Sequence, residues 1–203
     1  PLPRRMWAGS RIDFLAPVPV GAALTRVTTI DAIKPKRGAS GALLFVTLRH
    51  EISADGADAI REEQDIVFRE AAGATPTLVV APAEIPEPAD AVRSITPDPV
   101  LLFRYSALTF NAHRIHYDRD YARDVEGYAG LVVHGPLIAT LLMGHALRAG
   151  LAPRRFAFRA EAPLIDGAPF HLCLAHDAQG ARLWARDAAG RTKMRAELCC
   201  TTD

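Results

Sequence analysis

The pattern of hydrophobic and polar positions divides the chain into two strand-rich parts. In the first part, segments rich in Val, Ile, Thr and Phe, separated by turn residues, predict strands at residues 11–14, 24–33, 43–53 and 59–69. The Asp55-Gly56 pair between the last two predicts a tight hairpin turn. The C-terminal part predicts further strands at residues 155–162, 170–177, 182–187 and 192–201. In the first of these, Phe156 and Phe158 alternate with charged residues, as in a sheet that covers a core with one face.

The middle of the chain predicts a linker and a buried helix. Residues 71–99 contain six prolines among alanines and acidic residues, and proline supplies no amide for a helix or a central strand. We therefore predict a linker there, followed by a strand at residues 100–108 and a short helix at residues 121–126. Pro136 stands at the favoured first position of the main helix, and Gly150 follows its end. Apolar residues cover nearly every face of this helix, so it must be buried on most sides.

A weak internal repeat predicts two copies of one fold. Residues 16–22, APVPVGA, are echoed by residues 162–168, APLIDGA, and each is followed by a strand, a hairpin and a strand. A strand, a helix and then four strands is the order of a hot-dog domain, in which an antiparallel sheet wraps around a central helix. We therefore predict an α+β double hot dog with an N-terminal domain, a proline-rich linker and a C-terminal catalytic domain, at residues 1–70, 71–99 and 100–203.

The first copy lacks a predicted helix. Because only about fifteen residues precede its copy of the repeat, we expect that a segment before Pro1 carried that helix. The alternative fold is a helix-capped barrel with one continuous sheet.

The composition fits a globular protein that acts on small molecules. The chain has 203 residues, of which 49% are hydrophobic, enough for a sizeable core. The 24 Lys and Arg residues balance 23 Asp and Glu residues without a long run of either sign, so neither nucleic acid nor a membrane surface is a predicted partner. No apolar run reaches the length of a membrane span, and no signal pattern opens the chain. Three cysteines without metal-ligand spacing fit a reducing cytoplasm.

The densest group of chemically reactive side chains lies in residues 105–147. Asn111, His113 and His116 come shortly before His134, which opens a His-Gly-Pro helix start. A purely structural segment would not need so many imidazole and amide groups beside a buried helix, so we interpret this one as the active-site half of an enzyme. The alternative is a polar loop that precedes a core helix.

Two motifs in this segment resemble those of a known enzyme family. Residues 106–118, SALTFNAHRIHYD, and residues 132–136, VVHGP, are similar to the MaoC-like hot-dog hydratases and dehydratases. Within that group the likeness is greatest to the double-hot-dog mesaconyl-CoA hydratases and the mitochondrial-type 3-hydroxyacyl-thioester dehydratases. Residues 2–7, LPRRMW, and 62–67, EEQDIV, resemble the first domain of those proteins, so the likeness covers most of the chain. It implies a hydro-lyase that reversibly adds water to an α,β-unsaturated acyl thioester, enoyl- or mesaconyl-CoA-like.

The histidine loop departs from the related R-specific enoyl-CoA hydratases at a catalytic position. Their motif is Asp-x-Asn-Pro-Leu/Ile-His, with the Asp and the His as the catalytic dyad; here Asn111 takes the Asp position and His116 the His position. A neutral amide cannot accept a proton, so we expect His116 to be the principal acid/base and Asn111 to hold the water or a substrate oxygen by hydrogen bonds. His113 either supplies the second proton-transfer group or fixes the loop.

Further site residues follow from the start of the buried helix. Gly135 offers a free backbone amide at the positive helix end to a thioester oxygen, and we expect His134 to line the pocket. His145, inside the apolar helix, is predicted to be a core histidine. Arg154 or Arg155 is a candidate for binding a phosphate of coenzyme A.

The predicted partners and the alternatives complete the hypothesis. We expect a coenzyme A or acyl carrier protein thioester as substrate, no cofactor, and a homodimer of double hot dogs. One alternative is a metal site, although no ordered ligand signature links the ligand-type residues His113, His116, Asp118 and His134. The others are an acyl-CoA thioesterase on the same fold and a non-catalytic acyl-CoA-binding protein that has lost the dyad carboxylate.

Overall fold

The computed structural model describes residues 2–38, 41–70 and 87–200. In the first half the strands are β1 (Arg4–Phe14), β2 (Leu24–Gly38), β3 (Gly41–Ala54) and β4 (Ala57–Arg69). The second half contains β5 (Ala91–Ile95), α1 (Pro99–Thr109), α2 (Gly135–Arg148), β6 (Pro153–Ala160), β7 (Phe170–Asp177), β8 (Gly180–Arg186) and β9 (Thr192–Cys200). Between the two α-helices lie short helical turns at Arg114–His116 and Tyr121–Val125.

The described strands form one antiparallel sheet in the order β2-β3-β4-β1-β6-β9-β8-β7-β5. Outward from the central β1–β6 pair, each half of the sheet has the same arrangement, with β4, β3 and β2 on one side and β9, β8 and β7 on the other. The predicted hairpin turn between β3 and β4 is confirmed, since Asp55 and Gly56 have φ angles of 49° and 84°. The α+β prediction is therefore confirmed, while the domain boundaries remain predictions.

Helix α2 is the centre of the larger hydrophobic core. It packs on β6, β7, β8 and β9 and also touches β1. Its start at Gly135 and Pro136 and its end just before Gly150 confirm the predicted bounds, because proline fits the first turn of a helix and Gly150 adopts a left-handed φ of 83°. Its fully or nearly buried residues are Leu137, Ile138, Ala139, Leu142, His145 and Ala146. In the part of the chain that the structure describes, no helix is long and apolar enough to cross a membrane.

The strand predicted at residues 100–108 is wrong, because this segment forms the helix α1. Asp98 starts the helix, since its Oδ1 accepts a hydrogen bond from the Leu101 amide at 2.7 Å, and Pro99 occupies the first turn. This local capping outweighs the β-forming residues that follow it.

The segment predicted as a linker, residues 71–99, contains a strand that the sequence pattern did not predict. This strand, β5, belongs to the second half of the sheet. Strand β5 pairs with β7 and lies between Pro88 and Pro97, so the prolines border the strand and do not interrupt it. Residues 71–86 of the predicted linker lie outside the described part of the chain.

Candidate active site

Hydrogen bonds to two neighbouring loops hold the segment that directly precedes α2 in place. The Val132 amide donates to the Ile115 carbonyl at 2.9 Å, and the Val133 amide donates to the Leu164 carbonyl at 2.8 Å. The Leu131 amide donates to the Asp166 carboxylate at 2.9 Å. These bonds hold the Val132 carbonyl beside the loop that carries the histidines.

His116 is fixed in one tautomer by that carbonyl. Its Nδ1 lies 2.7 Å from the Val132 oxygen, and because a carbonyl only accepts hydrogen bonds, Nδ1 carries the hydrogen and Nε2 has the lone pair. Burial lowers the pKa of His116 to about 4, although the Val132 bond raises it, and His113 lowers it further. His116 is therefore neutral at pH 7 and ready to accept a proton at Nε2.

His134 lies behind the ring of His116 and is completely buried. The two rings are stacked with their centres 3.7 Å apart, and His134 has no exposed surface. Its Nε2 is 2.8 Å from Ser106 Oγ, while its buried Nδ1 has no partner among the described residues. Burial lowers the pKa of His134 to about 3, so this ring is also neutral. The expectation that His134 binds substrate stays a prediction, but its position makes it a support for His116.

Asn111 and His113 shape the loop in front of His116. Asn111 Oδ1 accepts a hydrogen bond from the His113 amide at 3.1 Å, which leaves the Asn111 Nδ2 group without a partner among the described residues. The His113 and His116 rings are nearly perpendicular, at 84°, with their centres 5.6 Å apart. Asn111 thus retains the donor that could orient a water molecule or a substrate oxygen, as its predicted role requires.

An ion pair joins the first half of the sheet to the segment between the two α-helices. Arg4, at the start of β1, lies with Nη2 2.9 Å from Glu126 Oε2, and the two side chains are only 14% and 13% exposed. Burial lowers the pKa of His113, Glu126 raises it and Arg4 lowers it. The sequence pattern did not single out either residue, because neither belongs to the histidine motif.

Gly135 presents its backbone amide at the beginning of α2. This amide has no hydrogen-bond partner in the described part of the chain, and Pro136 next to it has no amide hydrogen. A Cβ added at Gly135 would meet only the Met194 Cε, at 3.9 Å. Gly135 is therefore not crowded on its Cβ side, and the binding of a thioester oxygen to its amide stays a prediction.

A cavity of about 350 Å³ adjoins this group of residues on the side of α1. Its lining combines the polar Ser106 and Asn111 with apolar and aromatic side chains, namely Phe103, Ala107, Phe110, Ala112 and Tyr117. Ser106 is hydrogen-bonded to His134, but the lining of this cavity includes neither the stacked histidines nor Gly135.

The structure does not bring the two candidate phosphate-binding arginines to the histidines. Arg154 and Arg155 lie at the start of β6, near the C-terminal end of α2, and the 14 residues of that helix span about 20 Å. Arg155 Nε instead lies 3.6 Å from Asp13 Oδ1 on the surface. His145 is confirmed as a core histidine, with its Nε2 3.4 Å from the Ala91 carbonyl. Among the described residues, no group of three His, Cys, Asp or Glu side chains is placed to hold a metal ion.

Known proteins similar to this chain share its sequence over most of its length. Residues 1–166 match the family described as hydroxyacyl-thioester dehydratase type 2. The mesaconyl-C(4)-CoA hydratase of Chloroflexus aurantiacus is 48% identical over 200 residues, which cover 98% of this chain and 71% of that protein.

Solved structures with low sequence identity share the fold. A MaoC-like dehydratase from Phytophthora capsici superposes with a TM-score of 0.74 at 16% identity, over 98% of this chain and 72% of that one. A Mycobacterium tuberculosis protein with a double hot-dog fold superposes with a TM-score of 0.59 at 17% identity, over 96% of this chain and 74% of that one. The hot-dog prediction is therefore confirmed.

Proposed function

The chain belongs to the hydroxyacyl-thioester dehydratase type 2 family, and on that premise we propose that it reversibly adds water to an α,β-unsaturated acyl-CoA. The observation that carries this proposal is the 2.7 Å hydrogen bond from His116 Nδ1 to the Val132 carbonyl. It leaves a neutral, oriented Nε2 as the base that the reaction needs.

The reaction needs a base for the water, a donor to the developing thioester oxyanion and an acid for the α-carbon. The histidine loop and the start of α2 supply a candidate for each. His116 Nε2 removes a proton from water while the oxygen attacks the β-carbon, and Asn111 Nδ2 holds that water. The Gly135 amide stabilises the negative charge that develops on the thioester oxygen. His116, the principal acid/base, then delivers the proton taken from water to the α-carbon, with His113 as the candidate for a second proton-transfer group, and loss of water from a 3-hydroxyacyl thioester follows the same steps in reverse.

The finer assignments are also part of the proposal. We place the catalytic site in the second copy, residues 100–203, with the pantetheine arm entering between the two copies. Coenzyme A is favoured as the thioester carrier by the similarity to the mesaconyl-C(4)-CoA hydratase, and acyl carrier protein is the alternative. Two chains are expected to form a homodimer, which sedimentation would test. The three unpaired cysteines suit a cytoplasmic location.

Replacing His116 by Ala tests the function directly. We expect at least a ~100-fold fall in the hydration of crotonyl-CoA or mesaconyl-CoA, followed by the loss of ultraviolet absorbance, because a positioned acid/base is lost. His176→Ala is the matched control, since that histidine is 51% exposed on β7 and should leave the rate unchanged.

Each alternative predicts a different result for the wild-type protein. Release of free thiol without hydration would identify a thioesterase. Binding of the acyl-CoA with neither reaction would identify a non-catalytic binding protein. A His116→Ala variant that hydrates as fast as wild type would remove His116 from the mechanism.

A further inference from the structure

The hydrogen bond that fixes the tautomer of His116 joins two separate segments of the chain. His116 ends the turn Arg114–His116, whereas its partner, the Val132 carbonyl, lies 16 positions further along. The Val132 amide also donates to the Ile115 carbonyl at 2.9 Å, so the two segments meet at two neighbouring bonds. A shift of one segment relative to the other would therefore change the 2.7 Å distance from His116 Nδ1 to the Val132 oxygen.

The carboxylate of Asp166 binds to both of these segments. Its Oδ1 accepts a hydrogen bond at 2.9 Å from the amide of Leu131, the residue directly before Val132. The same oxygen accepts a bond from Arg119 Nη1 at 3.2 Å, and Oδ2 binds Arg119 Nη2. Arg119 follows His116 by three positions. One carboxylate thus connects the loop that carries the imidazole with the segment that carries the carbonyl.

Asp166 is buried and closely surrounded by its partners. Its side chain is only 1% exposed, and its own amide donates to the Leu131 carbonyl at 2.9 Å. Gly130 allows this close approach, since a Cβ there would lie 2.8 Å from Asp166 Oδ1 and 3.0 Å from Arg119 Nη1. A carboxylate is rarely buried unless it is paired and hydrogen-bonded, as this one is. The oxygens of Asp166 are therefore held from several directions and fix the groups that bind them.

The tautomer of His116 decides whether its ring can act as a base. In a neutral imidazole, the hydrogen bond made by one nitrogen sets which of the two carries the hydrogen. With the hydrogen on Nδ1, Nε2 has the lone pair that takes a proton from water; with the hydrogen on Nε2, that lone pair is lost. In the part of the chain that the structure describes, the Val132 oxygen is the single hydrogen-bond partner of this ring.

We infer that Asp166 and Arg119 are positioning residues for His116, which hold the Val132 carbonyl against Nδ1 and so keep Nε2 as the base. The inference rests on the proposed hydration, in which Nε2 takes the proton from water. Within the described ranges no hydrogen bond joins Asp166 or Arg119 to the ring, so both act through the segments that they connect. Asp166 is the stronger link, because its side chain is buried whereas that of Arg119 is 45% exposed.

Asp166→Ala should slow hydration by misplacing His116. The variant loses the acceptor of the Leu131 amide and the partner of Arg119, so kcat should fall about 10- to 100-fold, the effect of a misplaced catalytic group, with little change in KM. Asp166→Asn retains an oxygen for the Leu131 amide and should keep most of the wild-type kcat. Arg119→Ala should lie between Asp166→Ala and wild type.

Nitrogen-15 NMR of the histidine rings measures the tautomer without turnover. At neutral pH, wild type should show the hydrogen of His116 on Nδ1. Asp166→Ala should show part of the population with the hydrogen on Nε2, and Asp166→Asn should restore the wild-type spectrum. A residue that only stabilised the fold would not change which nitrogen carries the hydrogen.

Asp187→Ala is the matched control, since Asp187 has the same kinds of partner within the turn between β8 and β9. Its Oδ1 accepts the amides of Ala189 and Arg191 at 3.0 Å each, and its Oδ2 lies 3.1 Å from Lys193 Nζ. Its side chain is 19% exposed. This variant should lower the free energy of unfolding but leave kcat and the tautomer of His116 unchanged.

An unchanged tautomer in a folded Asp166→Ala variant would overturn the inference, even if wild type hydrates acyl-CoA. Equal losses of kcat in Asp166→Ala and Asp187→Ala would also overturn it, because Asp166 would then act on stability alone. If Asp166→Ala does not fold, Arg119→Ala decides, and wild-type kcat and tautomer in that variant contradict the inference. If wild type hydrates no thioester, the proposed function fails instead, and the NMR spectra still show whether Asp166 sets the tautomer of His116.

Discussion

Acid should lower the free energy of unfolding of this protein because its buried histidines become protonated when it unfolds. The contribution of His116 can be calculated and measured. Its pKa is about 4 in the folded chain, below the ordinary value of 6.5 that applies after unfolding. The unfolded chain therefore binds more protons between these values, so the stability is complete above pH 6.5 and is lost as the pH falls towards 4. For these two pKa values, the loss between pH 7.5 and pH 5 is about 2 kcal/mol from His116 alone.

Urea unfolding at pH 7.5 and pH 5 measures this loss. His116→Asn retains an N–H group that can reach the Val132 carbonyl but removes the titrating ring, so it should lose about 2 kcal/mol less stability than wild type between the two pH values. Asn111→Ala, which changes the same loop without removing an imidazole, should keep the wild-type pH dependence. If His116→Asn and wild type lose stability equally, His116 is not held neutral by burial, and the argument for its base role is refuted.

Variants at three positions test the support around His116. Asn111→Ala should raise the activation free energy of hydration by ~2.7–4 kcal/mol, the effect of losing one positioned donor. Asn111→Asp should move the histidine-dependent limb of the pH–rate profile to higher pH. Gly130→Ala should lower both the melting temperature and the rate, because its Cβ would lie 2.8 Å from the carboxylate oxygen that holds this loop; Gly144→Ala, which meets only a flexible arginine end, is the control. Ser106→Ala should cost ~1–3 kcal/mol of unfolding free energy, because it leaves the buried His134 Nε2 without its partner.

Local sequence signals predicted most of the sheet but not its exact members. Long runs of β-forming residues and the Asp55-Gly56 turn predicted the meander of the first half, because each signal lies within the segment it describes. The α1 segment misled because Val100, Phe103 and Tyr105 favour strands, while the deciding feature was the cap formed by Asp98. Strand β5 was hidden among prolines, since its pairing with β7 depends on residues about 80 positions away in the chain.

The candidate site shows the same division between local and distant information. The motif alone drew attention to Asn111, His116 and Gly135, and the structure places the His116 ring against His134 at the start of α2. The Val132 carbonyl was not predictable, since a backbone oxygen has no residue type that marks it and its position depends on a bond to the Ile115 carbonyl. Glu126 was missed for a related reason, because its partner Arg4 is 122 positions away along the chain.

The replacement of the dyad carboxylate by Asn111 is consistent with the two stacked histidines behind it. A carboxylate at position 111 would stabilise a charged His116, and that charge would lie against the buried His134, whose pKa His116 already lowers. An uncharged amide instead preserves two neutral rings, with His116 as a base and His134 as an apolar support. The carboxylate of Glu126, by contrast, is paired with Arg4 at 2.9 Å. A charge added at position 111 should therefore act first on His116, so the histidine-dependent limb of the pH–rate profile should move upward in Asn111→Asp and stay in place in Asn111→Ala.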